Sequence, residues 1–158
     1  MNILALDLGT KTGWARLQDG AVTSGTWLLA DEKELRNQRK ENLDRCCDMR
    51  FERLQKHIID SLPVDYIFFE DVTFLTSQLQ SQLWAGFRTV VTLLYPKIKL
   101  RAIPVGTLKK FGTGNGAAKK DLMAACLQAR TGLSPEGRDD NEVDALHLLW
   151  LARKELNA

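Results

Sequence analysis

Two short apolar runs, each closed by an acid, constrain this chain more than any other feature. Asn2 to Leu6 stops at Asp7, and the aromatic, β-branched run from Asp65 ends on Glu70. Runs of this length suit buried strands, and none approaches the roughly 20 residues that span a bilayer. Where such strands lie parallel and side by side, their carboxyl ends open on one edge of the sheet, where α/β folds gather ligand sites. Two carboxylates there repel unless a cation lies between them, and hard divalent cations such as magnesium prefer oxygen ligands. Taken singly, Asp7 is equally well a turn residue capping its own loop, and Glu70 an exposed strand end.

Between and after these runs the elements follow in order. Asp7 to Gly13 is a polar, glycine-bearing turn. Trp14 to Gln18 reads as a second strand, Asp19-Gly20 as a tight hairpin turn, and Ala21 to Leu29 as a third strand. From Asp31 to Leu62 the period changes: Leu35, Leu43, Cys47, Phe51, Leu54, Ile58 and Ile59 suit one face of a helix that Pro63 stops. After Glu70, a polar loop leads to a helix from Ser77 to Tyr95, then a strand from Leu100 to Val105. Gly112 to Gly116 is a glycine-rich loop, Ala117 to Arg130 a helix, Thr131 to Arg138 a loop and Asp139 to Leu156 the last helix. The string βββαβαβαα, without repeat or long linker, predicts one compact α/β domain over residues 1–158. The N-terminus lacks the basic region of a signal peptide, and the three cysteines have no zinc-like spacing, so a reducing cytoplasm is expected.

A third acidic feature opens the last helix, in Asp139-Asp140-Asn141-Glu142-Val143-Asp144. Asp140 and Asp144 are four apart and share a helical face that continues through Ala145, Leu148 and Leu151, so Asp144 is directed inward. An acid there is costly unless paired or bound to metal. Capping accounts for Asp139; it does not account for Asp144, a full turn further in.

A net charge of only +2 makes no case for nucleic acid by itself; the placement of the charges does. Lys109 and Lys110 precede the glycine-rich loop and Lys119 and Lys120 follow it, the densest basic cluster in the chain. Gly112, Gly114 and Gly116 let backbone amides approach a phosphate, with a helix N-terminus behind them. The bland alternative is a flexible loop beside a solvated helix start.

Taken in order, Asp-Leu-Gly-Thr-Lys-Thr-Gly-Trp-Ala, an acid closing a later strand, Gly-x-Gly-x-x-x-Lys and Asp-Asp-Asn-Glu-x-Asp-Ala-Leu resemble the RuvC-type Holliday-junction resolvases over nearly the whole chain. The resemblance implies a ribonuclease H-like fold: a five-stranded mixed sheet, its second strand antiparallel, flanked by helices. It further implies four acidic metal ligands: Asp7, Glu70, Asp144 and one residue just before Asp144. A common family pattern has an acid or histidine three residues before the last Asp, where this chain has Asn141. Asp140, one position earlier, is favoured because only a carboxylate restores the charge that two magnesium ions would want; manganese is expected to substitute. A divalent cation makes water a better nucleophile at neutral pH, and a second about 3.5–4 Å away stabilises the leaving oxygen; the implied product is a nick with a 5′-phosphate.

By the same resemblance, Lys120 lies near the scissile phosphate and Lys109 matches a second family lysine. Gly114, Asn115 and Gly116, with Lys110 and Lys119, complete the expected DNA contacts. Phe74 is the candidate to stack on an unpaired base, or else a core residue. Apolar residues on more than one face of the Ser77–Tyr95 helix suit either a helix buried within one chain or one that also packs on a partner; the resemblance implies the latter, a homodimer that cuts opposite strands symmetrically. The expected activity is a magnesium-dependent endonuclease on branched DNA, read by shape and phosphate position, since base-reading arginines are not clustered. The alternatives are an ATP-binding sugar-kinase or actin-like domain, which Asp7-Leu8-Gly9-Thr10 also fits, and a nucleic-acid-binding relative without chemistry.

Overall fold

The computed structural model of the chain describes residues 1–41, 47–72, 77–94 and 98–158. Its framework is one five-stranded sheet, formed by β1 (Ile3–Asp7), β2 (Lys11–Gln18), β3 (Ala21–Leu28), β4 (Tyr66–Asp71) and β5 (Lys99–Pro104) in the order β3-β2-β1-β4-β5. β2 runs antiparallel to both β1 and β3, while β1, β4 and β5 are parallel. This is the mixed sheet implied by the resemblance.

The central strands are legible in the sequence because they are buried on both faces. Ile3 and Ala5 of β1 and Phe68 of β4 enter one core; Leu4, Leu6, Ile67 and Phe69 enter the other. Strands covered on both sides read as continuous apolar runs. The β2–β3 hairpin turns at Asp19 and Gly20, both at positive φ, the geometry of a two-residue turn that matches strand twist.

Among the described residues six helices cover the sheet: α1 (Glu32–Lys40), α2 (Met49–Asp60), α3 (Gln78–Leu94), α4 (Val105–Thr113), α5 (Lys120–Thr131) and α6 (Asp140–Leu156). Leu54 and Ile58 of α2 and Phe87 and Val91 of α3 close one core. Leu108 of α4, Met123 and Leu127 of α5 and Leu146, Leu148 and Leu149 of α6 close the other. None of the described helices is long and apolar enough to cross a membrane.

Three boundaries differ from the sequence reading. The helix expected over Asp31–Leu62 is two helices. Asp31 caps α1 in a capping box with Glu34, and Asp48, in extended backbone, accepts from the Arg50 amide and starts α2 anew. Period alone does not register such a restart, because apolar spacing can resume in phase across a break. Exposed Cys47 lies just before that cap, outside the helix expected to hold it. Secondly, β2 begins at Lys11, so the turn after Asp7 is shorter than expected. Thirdly, the strand expected to Val105 ends at Pro104, and Val105–Thr113, with Gly112, is a helix. A Cβ on buried Gly112 would stand 3.0 Å from the His147 ring, so the glycine reflects close α4–α6 packing, not a loop. α5 accordingly starts at Lys120, with Lys119 as its N-cap.

Candidate active site

Parallel pairing sets Leu6 opposite Phe69, so Asp7 and Glu70, the next residues on each strand, stand side by side at the carboxyl edge. Leu6 and Phe69 face the α2–α3 core. Alternation therefore turns Asp7 and Glu70 to the other face, the one α6 covers.

The start of α6 is clamped over that edge. Asp7 pairs with Gly13 of β2, and a Cβ on Gly13 would stand 1.9 Å from the Asn141 carbonyl oxygen. Only glycine lets the first turn of α6 approach β2 so closely. On β3, the Thr26 hydroxyl donates to Asp139 Oδ1 (2.7 Å), which also accepts from the Glu142 amide as the helix cap (2.9 Å). The Ser24 hydroxyl donates to buried Glu142 (2.7 Å), which forms an ion pair with Arg138. One turn beyond this clamp stands Asp144, whose neighbours Ala145, Leu148 and Leu151 are buried as expected.

The electrostatics record the convergence. Burial raises the Asp7 carboxyl well above the usual range, and the charges of Glu70 and Asp144 raise it further, against Lys120. Glu70 is pushed up to about 7 by burial and then by Asp144, opposed by Lys109. Asp144 is raised to about 6 by burial, with Lys120 and Lys109 acting against it. Among the described residues no hydrogen bond or ion pair reaches any of these three carboxylates. They form a set of hard oxygen donors whose mutual repulsion a divalent cation would relieve, and in that respect they fit one. As they stand, no group of three His, Cys, Asp or Glu among the described residues is arranged to hold a metal ion.

The other acids of the α6 motif have separate tasks. Asp139 is the cap and Glu142 belongs to the clamp. Exposed Asp140 pairs with Lys120 Nζ at 3.0 Å, and this contact raises the Lys120 pKa. Asn141 contributes its backbone to the contact with Gly13. Gly13 and the clamp residues Ser24, Thr26, Arg138 and Glu142 were not among the expected site residues. A glycine inside a strand was the available signal for Gly13, since it marks close backbone approach.

The glycine-rich segment differs from the expected phosphate cradle. Gly112 is inside α4. Gly114, at φ 80°, is the α4 C-cap and donates its amide to the Lys110 carbonyl (2.8 Å). The amides of Asn115, Ala117 and Ala118 donate to the Thr113 hydroxyl, the Asn115 side chain and the Asn115 carbonyl. Four amides of the turn are thus already used within it. Gly114, Asn115 and Gly116 are exposed, as are Lys110, Lys119 and Lys120, while Lys109 is half-buried toward the carboxylates. Phe74 lies outside the described residues.

No family model matches the chain, and no curated protein does. Solved structures do. RuvC of Thermus thermophilus aligns with a TM-score of 0.68 at 17% identity, over 98% of this chain and 97% of that one. T. thermophilus RuvC in complex with a Holliday junction substrate aligns with a TM-score of 0.70 at 16% identity, over 98% and 96%. The chain shares their fold, which is of the ribonuclease H-like type.

Proposed function

We propose that this chain is a magnesium-dependent endonuclease that resolves four-way DNA junctions by paired, symmetric nicks leaving 5′-phosphates. The observation that carries the reading is the mutual charge repulsion of Asp7, Glu70 and Asp144, half-buried and without a hydrogen bond or ion pair among the described residues, on a fold similar to one solved with a Holliday junction. In this reading Asp7, Glu70, Asp144 and Asp140 would hold two magnesium ions, which manganese could replace. When bound, the ions make water a competent nucleophile at neutral pH and stabilise the leaving oxygen.

The chain's own residues do the rest. Asp140 would be the fourth ligand in preference to Asn141 because it adds negative charge. Lys120, its ion-pair partner, would serve the scissile phosphate, with Lys109 beside it. Lys110, Lys119 and the exposed turn Gly114-Asn115-Gly116 form the rim on which the DNA backbone rests, and Phe74 stacks on an unpaired base at the junction centre.

Two active sites require two copies. α3 packs on α2 so tightly that a Cβ on Gly86 would stand 2.2 Å from the Phe51 ring. Leu79 and Leu93, two heptads apart and hence on one face, are left 67% and 75% exposed. We assign the homodimer contact to this face of the Ser77–Tyr95 segment. Leu93→Glu is expected to give a monomer in sedimentation and to uncouple the paired nicks; a dimer that sediments unchanged would refute the assignment.

Synthetic junctions incubated with magnesium, with EDTA, and with the Asp7→Asn protein test the reading. Paired nicks are expected only from the native protein with magnesium. Asp7→Asn should lose more than roughly 100-fold, the loss that even outer-shell partners of a metal ligand can cause. Undiminished cutting by Asp7→Asn removes the metal site from the chemistry. ATP turnover without nicking would favour the kinase-like alternative.

A further inference from the structure

Away from the carboxylates, three helices end together on one aromatic ring. Arg130, in the last turn of α5, stands over Phe111 at 5.0 Å, and Lys154, in the last turn of α6, lies 5.9 Å from the same ring. Phe111 itself closes α4 beside exposed Lys110. None of Lys110, Arg130 and Lys154 forms an ion pair among the described residues, and neighbouring Glu155, also exposed, pairs with none of them. Arg153, by contrast, folds back over Trp150 and bonds the Ala158 carbonyl.

Cations at helix C-termini complement the helix dipole, which explains one such residue per helix. It does not explain why two of them, Arg130 and Lys154, come together on one ring with no carboxylate drawn in to neutralise them. A shared, uncompensated positive patch is complementary to a polyanion. The patch is also linked to the candidate active site through α4 and α6. α4 carries both Lys109, whose charge acts on Glu70 and Asp144, and Phe111. Ten residues of α6 separate Asp144 from Lys154, about 15 Å of helix. That length corresponds to roughly four to five base pairs of duplex.

We propose that Arg130 and Lys154, seated on Phe111, bind the sugar-phosphate backbone of a duplex arm leading away from the cleavage point. The proposal rests on the DNA-directed reading above and extends it to a surface outside the carboxylate site. The two residues act on binding and leave the chemistry alone.

The test uses the full chain with Arg130→Gln and Lys154→Gln combined, and Arg130→Lys as the charge-retaining control. Affinity for a four-way junction and for a linear duplex is measured across a salt series, together with the cleavage rate at saturating junction. The double variant should bind about tenfold more weakly near 0.1 M salt, with a log–log salt slope shallower by about 2, since each lost phosphate contact removes about 0.9. KM should rise while kcat holds, and Arg130→Lys should restore the native slope. Equal affinity and slope in a variant with native thermal unfolding would overturn the proposal, leaving the patch to the helix dipoles or to an acidic protein. A fall in kcat with KM unchanged would overturn it too. If the native protein cuts no junction yet the slope difference persists on linear duplex, the patch stands and the nuclease reading falls.

Discussion

Gly13 shows how much of this site rests on the absence of a side chain. Its Cα is where β2 meets the first turn of α6, and the Asn141 carbonyl occupies the space a methyl group would need. Backbone cannot move aside as a flexible side chain can, so Gly13→Ala should cost about 3 kcal/mol in denaturant unfolding and reduce cleavage further by moving Asp144 from Asp7. A stable, fully active Gly13→Ala protein would show that α6 is free to shift. The carboxylates make the opposite case, since here the groups themselves are the burden. Glu70→Gln removes a half-buried charge that no hydrogen bond or ion pair among the described residues satisfies. It should therefore raise the thermal stability of the metal-free protein at pH 8 while abolishing cleavage, a separation that a structural role for Glu70 would not produce.

At the scale of elements, the sequence patterns worked where a segment is buried on both faces and failed where a boundary depends on caps. β1 and β4 are read from composition alone because every residue in their centres is apolar. The division of Asp31–Leu62 depends on Asp48, whose carboxylate accepts from the Arg50 amide and takes the Arg50 guanidinium in a largely buried ion pair at 2.5 Å. The same guanidinium donates to the Thr10 hydroxyl at 3.0 Å, tying the start of α2 to the turn after Asp7. Asp48→Ala should cost about 2 kcal/mol as a lost cap, and more through the guanidinium left without its partner. Chemical denaturation measures this; a change within error would mean that α2 needs no cap. α4 was missed for a related reason. Gly112 to Gly116 reads as a glycine-rich loop, yet Gly112 is present because α4 and His147 of α6 approach too closely for any side chain.

The whole molecule balances burial of charge against a site that needs it. Glu70 titrates near 7 in the folded chain against 4.5 ordinarily, and Asp144 near 6 against 3.8. Between those values the native state holds protons that the unfolded chain has released. Stability therefore falls as pH rises from about 4.5 to 7, by roughly 3 kcal/mol from Glu70. His147 acts in the other direction. It is buried, donates its Nε2–H to the Met123 carbonyl at 2.9 Å, and has its pKa lowered by burial, so its contribution is lost as the medium becomes acid. Saturating magnesium or manganese should raise the thermal midpoint clearly at pH 8 and little at pH 5, where the carboxylates hold protons. The increment should vanish in Glu70→Gln. A midpoint indifferent to metal at pH 8 would refute the cation site.

What the sequence determined by itself was the set of central strands and the acids that end them, because alternation and burial leave a local record in residue order. It also marked Asp144 as an inward-facing acid, through the period of α6. Only the tertiary structure sorted the other acids of that helix, giving Glu142 to the clamp and Asp140 to Lys120, and it tied the capping Asp139 to Thr26. The partners that do the sorting are Ser24 and Thr26, 118 and 113 residues from the side chains they hold. No local pattern encodes contacts made across such separations; they arise only when the β2–β3 hairpin and the start of α6 are packed together.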